Sequence, residues 1–127
     1  MTQDREAVDD YVEEFKAAYV ESLGTRRFAS MGSYLADDVV VLASSSEPMD
    51  KAALGSWIDD DEGTRYDATF TTRERIVTDE LVVERGVSHE GPMGGDDAEF
   101  HDFNYLWLIR SNGSALEVSH LMWNQIR

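Results

Sequence analysis

The 127-residue chain has no cysteine, two prolines and only two lysines. Without cysteine it has no disulfide, no thiol nucleophile and no thiolate metal site. Basic side chains are scarce: Lys and Arg total 11 against 26 Asp and Glu, a formal charge of −15. Such a surface repels phosphates, which excludes nucleic-acid binding through counterion release and docking on anionic membrane. Long apolar runs are missing too. The longest cover 39–43 and 105–109, far short of the roughly 20 residues that span a bilayer. The opening Thr2-Gln3-Asp4-Arg5-Glu6 is acidic, unlike a signal or transit peptide, so the expected location is the cytoplasm.

What is present suffices for one core. Hydrophobic residues make up 42% of the chain and aromatic residues 10%, enough for a single domain over 1–127. Nine of the basic residues are Arg, and the acids cluster at Asp9-Asp10, Glu13-Glu14, Asp37-Asp38, Asp59-Asp60-Asp61-Glu62 and Asp96-Asp97. Solvated acid with little Lys suits a halophilic protein, because concentrated salt shrinks the Debye length to about 3 Å and self-repulsion fades.

Val8, Tyr11, Val12, Phe15, Tyr19 and Leu23 form the apolar stripe of an amphipathic helix, with Gly24 as its expected stop. Phe28, Met31 and Leu35 give a second, short helical pattern ending at Asp37-Asp38. The β-branched run 39–43 reads as a buried strand and Ser44-Ser45-Ser46 as loop. Pro48 stands where a third helix can begin, with Leu54, Trp57 and Ile58 on its apolar side. Four strands follow over 66–77, 81–90, 100–110 and 116–126. Their turn signals are Thr78-Asp79-Glu80, the glycine-rich stretch 91–95 and Asn112-Gly113. Helices followed by a meander give an α+β fold. The strand over 100–110 is apolar on both faces, so one face covers the helices and the other is expected to meet a second copy of the chain.

The string Tyr34-Leu35-Ala36-Asp37-Asp38-Val39-Val40-Val41 resembles a signature of the nuclear-transport-factor-two-like superfamily. The ending Val118-Ser119-His120-Leu121-Met122-Trp123-Asn124 is similar to that superfamily's last strand, above all in its SnoaL-like branch, and Glu84-Arg85-Gly86 matches the same branch. The resemblance spans the whole chain. It implies a cone-shaped curved antiparallel sheet wrapped around three N-terminal helices, one internal pocket, and a homodimer through the convex sheet face.

Fold leaves the chemistry open, because the superfamily holds both enzymes and binding modules. Resemblance to the ketosteroid isomerases puts their helical Tyr on Tyr19, but their base on Ala43 and their second acid near Tyr105. Resemblance to the limonene epoxide hydrolases puts their Arg on Arg85, with Val87 and Leu121 where those enzymes keep Asp. SnoaL-type cyclases also keep an acid near Leu121. Proton abstraction needs a base within hydrogen-bond reach, and these positions supply none.

The same matching sets strand parity. With Leu121 and Trp123 inward, Ser119 and Glu117 are expected inward as well, and His120 and Met122 outward. Phe103, Tyr105, Trp107, Arg85, Val87 and His89 are the expected inward neighbours, with Tyr19 and Trp57 from the helices. Each has a plainer reading. Tyr19 completes a helix stripe, the tryptophans suit a core, and Arg85 in an apolar strand needs a carboxylate such as Glu117. His101 beside Asp102 and Glu99 lacks the three converging ligands of a metal site. No metal or cofactor is expected.

The expected function is binding of a small apolar or aromatic molecule in the pocket. The alternative is a SnoaL-like isomerase, lyase or hydrolase, with His89 or His120 as acid/base and Tyr19 and Arg85 stabilising an oxyanion.

Overall fold

The computed structural model describes residues 4–43, 47–113 and 115–126. The architecture is α+β. Helix α1 (Arg5–Thr25) starts at Asp4, whose Oδ1 accepts the Glu6 N–H at 3.1 Å. Its buried side is the expected stripe: Val8, Val12, Phe15, Tyr19 and Leu23. The helix runs through Gly24, and the left-handed position that ends it is Arg26, at φ 58°. That backbone is unfavourable for a side chain other than Gly. It is held by the Arg26 guanidinium, which donates to the carbonyls of Trp57 (2.6 Å), Asp60 and Thr64. Tertiary hydrogen bonds fix this turn where the sequence pattern points to glycine.

Helix α2 (Ala29–Gly32) is one turn long, and strand β1 (Leu35–Ala43) begins four residues before the β-branched run. Leu35 therefore belongs to the strand, not to a second helix. Asp37 and Asp38 lie in an irregular stretch between Leu35 and Val40, which keeps both carboxylates in water. Helix α3 (Lys51–Ile58) starts at Asp50, not at Pro48, because Asp50 Oδ1 accepts the Ala53 N–H at 2.8 Å. Leu54 and Ile58 are buried; Trp57 is half exposed. Ser44-Ser45-Ser46 and Ser114, read from sequence as loop and turn, lie outside the described residues.

Strands β2 (Tyr66–Val77), β3 (Leu81–Pro92), β4 (His101–Asn112) and β5 (Ala115–Gln125) form the expected antiparallel meander, with a short 3-10 turn at Asp97–Glu99 before β4. The sheet order is β1-β5-β4-β3-β2. β1 joins β5 in parallel, so the sheet is mixed rather than wholly antiparallel, and it does not close. Two bulges reset parity, one in β2 between Thr72 and Glu74, the other in β5 opposite Leu108 and Ile109.

One face of the sheet covers α1 with Tyr105, Trp107, Ile109, Leu121 and Val118, all buried. Gly86 lies in this face for a physical reason. A β-carbon there would strike the Thr71 carbonyl and come within 2.9 Å of the Tyr105 ring. The opposite face carries Val40, Leu42, Val83, Val87, Leu106, Leu108 and Met122, partly buried to exposed.

Candidate functional site

Pairing register decides what faces the helices. On β4 the inward residues are Phe103, Tyr105, Trp107 and Ile109, and their partners on β3 are Ser88, Gly86, Glu84 and Val82. Glu90, two residues beyond Ser88, is on the same side. Arg85, Val87 and His89 therefore face away from the helices, contrary to the expectation from resemblance. Arg85 Nε pairs instead with Glu74 at 2.8 Å on the open surface. His89 Nδ1 lies 2.7 Å from Asp102 Oδ1, and its ring stacks on Phe100. His120 faces outward as expected, its Nδ1 3.0 Å from Ser119 Oγ. Glu117 also faces outward, because the β5 bulge shifts parity by one; it accepts from Arg110 at 2.7 Å. Neither His89 nor His120 reaches Tyr19 or the interior.

The inward register brings two carboxylates under the helices that the sequence reading placed on the other side. Glu84 is fully buried. Its Oε1 accepts from Arg75 (2.7 Å). Its Oε2 accepts from Thr72 (2.6 Å) and Tyr105 (2.8 Å) and lies 3.2 Å from Lys16 Nζ. Arg75 extends the network to Asp9 and Glu13 on α1. Burial alone would raise the Glu84 pKa, but Arg75, the two hydroxyls and the Lys16 charge outweigh it and hold the carboxyl below its ordinary value. The acid that neutralises a strand Arg is thus Glu84, and the Arg is Arg75.

Next along the interior, Phe15, Tyr19, Phe70, Tyr105 and Trp107 interlock with ring centroids 4.6–6.1 Å apart. They fill the space there. Tyr105, Trp107 and Leu121, expected to line a pocket, are core residues and do not line the cavity described next.

Beyond the ring cluster a cavity of about 300 Å³ opens at the other end of the sheet. Tyr19 and Leu23 reach it from α1, Trp57 from α3, Tyr66 from β2, Glu90 from β3, and Phe103 and Trp123 from β4 and β5; Glu99 and His101 stand at its rim. Four of the expected lining residues, Tyr19, Trp57, Phe103 and Trp123, thus come together. Glu90 Oε2 accepts a hydrogen bond from Ser88 Oγ at 2.5 Å. Burial pushes its carboxyl pKa up, and the Ser88 bond offsets this only in part. The Tyr19 phenol is pushed well up by burial and then by the Glu90 charge. Glu99 Oε1 is already engaged by the Asp96 N–H at 3.1 Å. His101 Nδ1 lies 3.3 Å from Gln125 Nε2.

A larger depression of about 670 Å³ between α3 and β1 is lined by Phe28, Asp37, Asp50 and Lys51, among others. It is shallow, and three of its polar groups are engaged: Asp50 caps α3, Asp59 accepts the Phe28 N–H, and Lys51 donates to the Leu35 carbonyl. Among the described residues no group of three or more His, Asp or Glu gathers as metal ligands. No described helix is long and apolar enough to cross a membrane.

Sequence comparison finds no matching family model and no matching curated protein. Solved structures do match. A conserved protein from Planctomyces limnophilus superposes with TM-score 0.78 at 16% identity, over 96% of this chain and 98% of that one. A ketosteroid isomerase-like protein from Erwinia carotovora atroseptica gives TM-score 0.71 at 13% identity, over 93% and 95%. An NTF2-like protein of unknown function from Pseudomonas putida gives 0.73 at 15% identity, over 98% and 89%. The chain has the nuclear-transport-factor-two-like fold. At these identities the match concerns the backbone, and the chemistry of an NTF2-like cavity has to be read from its own lining.

Proposed function

We propose that this NTF2-like domain is a cytoplasmic receptacle for a small, largely apolar molecule, held in the cavity between the C-terminal half of α1 and the sheet. The observation that carries the reading is a void of about 300 Å³ walled by aromatic rings, with one partly buried carboxyl inside it, next to a core that is otherwise filled. Interiors are close-packed, and a void of this size with few polar groups has the proportions of a ligand site. A thermal-shift screen of small aromatic and alicyclic compounds tests it. A ligand at a hundred times its Kd adds about 2.7 kcal/mol of stability, so binders raise the melting temperature. Leu23→Trp, which fills the void, is expected to fold and lose that rise. A screen in which nothing stabilises the wild type contradicts the reading.

A second reading, acid–base catalysis of the SnoaL-like type, is favoured by one observation. Glu90 combines a raised carboxyl pKa with a buried Tyr19 phenol on the facing helix. On that reading the acid/base is Glu90, and His89 and His120 have no part. Glu90→Gln would then abolish turnover of a bound substrate and leave its binding in place.

We also propose that two copies pair through the outer sheet face, where Leu106, Leu108, Val83, Val87 and Met122 lie, with Arg85, Asn104 and His120 between them. Leu108→Asp is expected to halve the sedimenting mass; a wild type that sediments as a monomer contradicts the pairing. Concentrated salt is the medium to which we assign the acid-rich exterior.

A further inference from the structure

We infer that the cavity selects a compact organic cation: an amine or quaternary ammonium group carried on a small apolar body. This rests on the receptacle reading and names the class of ligand. The walls come first. Tyr19, Trp57, Tyr66, Phe103 and Trp123 contribute five rings around one void, and ring faces attract ammonium groups electrostatically. The chain already holds one cation this way, with the Arg26 guanidinium 5.3 Å from the Trp57 ring centroid. Because Arg26 occupies that side of Trp57, the ligand's charge belongs on the Glu90 side of the cavity.

The charge balance of the lining comes second. Among the described residues it contains two carboxyls, Glu90 and Glu99, one imidazole, His101, and no Lys or Arg. An anionic ligand would meet both acids and the field of a chain carrying −15. A neutral ligand would gain the apolar contacts and at most a hydrogen bond to Glu90, without the ionic attraction.

Glu84 and Glu90 lie six residues apart on the same face of β3. Glu84 has a guanidinium, an ammonium and two hydroxyls around it. Among the described residues Glu90 accepts a side-chain hydrogen bond from the Ser88 hydroxyl alone, and no Lys, Arg or His forms an ion pair with it. A partly desolvated carboxylate without a counter-charge is unfavourable. The fold supplies the counter-charge at Glu84 and leaves it out at Glu90, where the cavity opens. A cation on a ligand would complete the second site as Arg75 and Lys16 complete the first.

The pH dependence follows from the groups facing Glu90: Tyr19 from α1, Tyr66 from β2, Ser88 on its own strand, Glu99 from the 3-10 turn and His101 from β4. The ionised carboxylate is the form that attracts a cation, and the folded-state pKa is raised. Affinity for a cation therefore falls on acidification, beginning at a higher pH than an ordinary Glu would give. His101 is the cross-strand partner of Glu90, so His101→Gln isolates the part that Glu90 plays.

The experiment uses the full chain and two probes of matched shape. Choline carries a trimethylammonium group; 3,3-dimethylbutan-1-ol carries a tert-butyl group in its place. Tryptophan fluorescence and calorimetry follow both at pH 7.5 and pH 5. Choline is expected to bind at least about tenfold more tightly than the alcohol. That preference should shrink at pH 5 in the wild type and in His101→Gln; in Glu90→Gln it should be reduced to what the ring faces alone supply and no longer change between the two pH values. The Gln variant removes an unpaired charge and keeps the shape, so its melting temperature should not fall; the pH arm needs no variant at all. Equal or tighter binding of the alcohol overturns the cation inference and leaves the receptacle standing. Binding of neither probe overturns it as well, and if the compound screen is also blank the receptacle reading falls with it.

Discussion

Arg75→Met is expected to destabilise the protein by about 3 kcal/mol. The guanidinium bridges Glu84 on β3 to Asp9 and Glu13 on α1, and Met keeps most of the volume while removing the charge. Glu84 would keep Lys16 and the hydroxyls of Thr72 and Tyr105, but lose its shortest charged contact inside the fold. Removing one partner of a buried pair leaves the other charge poorly compensated, and that carries a larger penalty than the net worth of the pair. Urea unfolding at neutral pH measures the change, with a lowered midpoint and unchanged slope as the expected result. The pH dependence has a definite sign. The Glu84 pKa is depressed in the folded state, so its contribution is present above the unfolded carboxylate value and is lost as pH falls through the folded one. Glu84→Gln should flatten that acid limb.

Trp107→Ala is expected to cost about 4 kcal/mol. The indole is fully buried and touches Phe15, Tyr19, Phe70 and Tyr105. Alanine there removes the ring around which the other four are arranged, and the rigid sheet beneath cannot collapse to refill the space. The effect separates two kinds of aromatic residue in this chain. Trp57 is half exposed and stands at the cavity, so Trp57→Ala should change stability far less, as judged by the same urea titration.

The fold was legible where periodicity and turn chemistry agree. The α1 stripe, the β-branched run of β1 and the Asn112-Gly113 turn each point to the element found. The parallel pairing of β1 with β5 is a long-range choice without a local signal. The helix boundaries moved for tertiary reasons: Arg26 holds a left-handed turn through three carbonyls, and Asp50 captures the start of α3.

The site was legible only in part, and parity is the physical reason. On β3 both faces carry valine, because the outer sheet face is itself apolar, so alternation does not tell inside from outside. Resemblance to enzymes that use an Arg drew Arg85 inward, and one residue of slip moves every side chain to the other face. That slip hid Glu84 and Glu90. One residue-level signal was available in Gly86: a glycine amid β-branched residues marks a close approach, here of the Thr71 carbonyl and the Tyr105 ring on the helix side. Glu84 and Glu90 share its parity.

The measurement that bears most directly on the cavity is a crystal structure of the protein grown with choline. The expected result is a trimethylammonium group among Tyr66, Phe103 and Trp123, with its charge against the Glu90 carboxylate and Ser88 still donating to that acid. A cavity closed by its own rings, or Glu90 turned to the outer face with Arg85 in its place, would contradict the account.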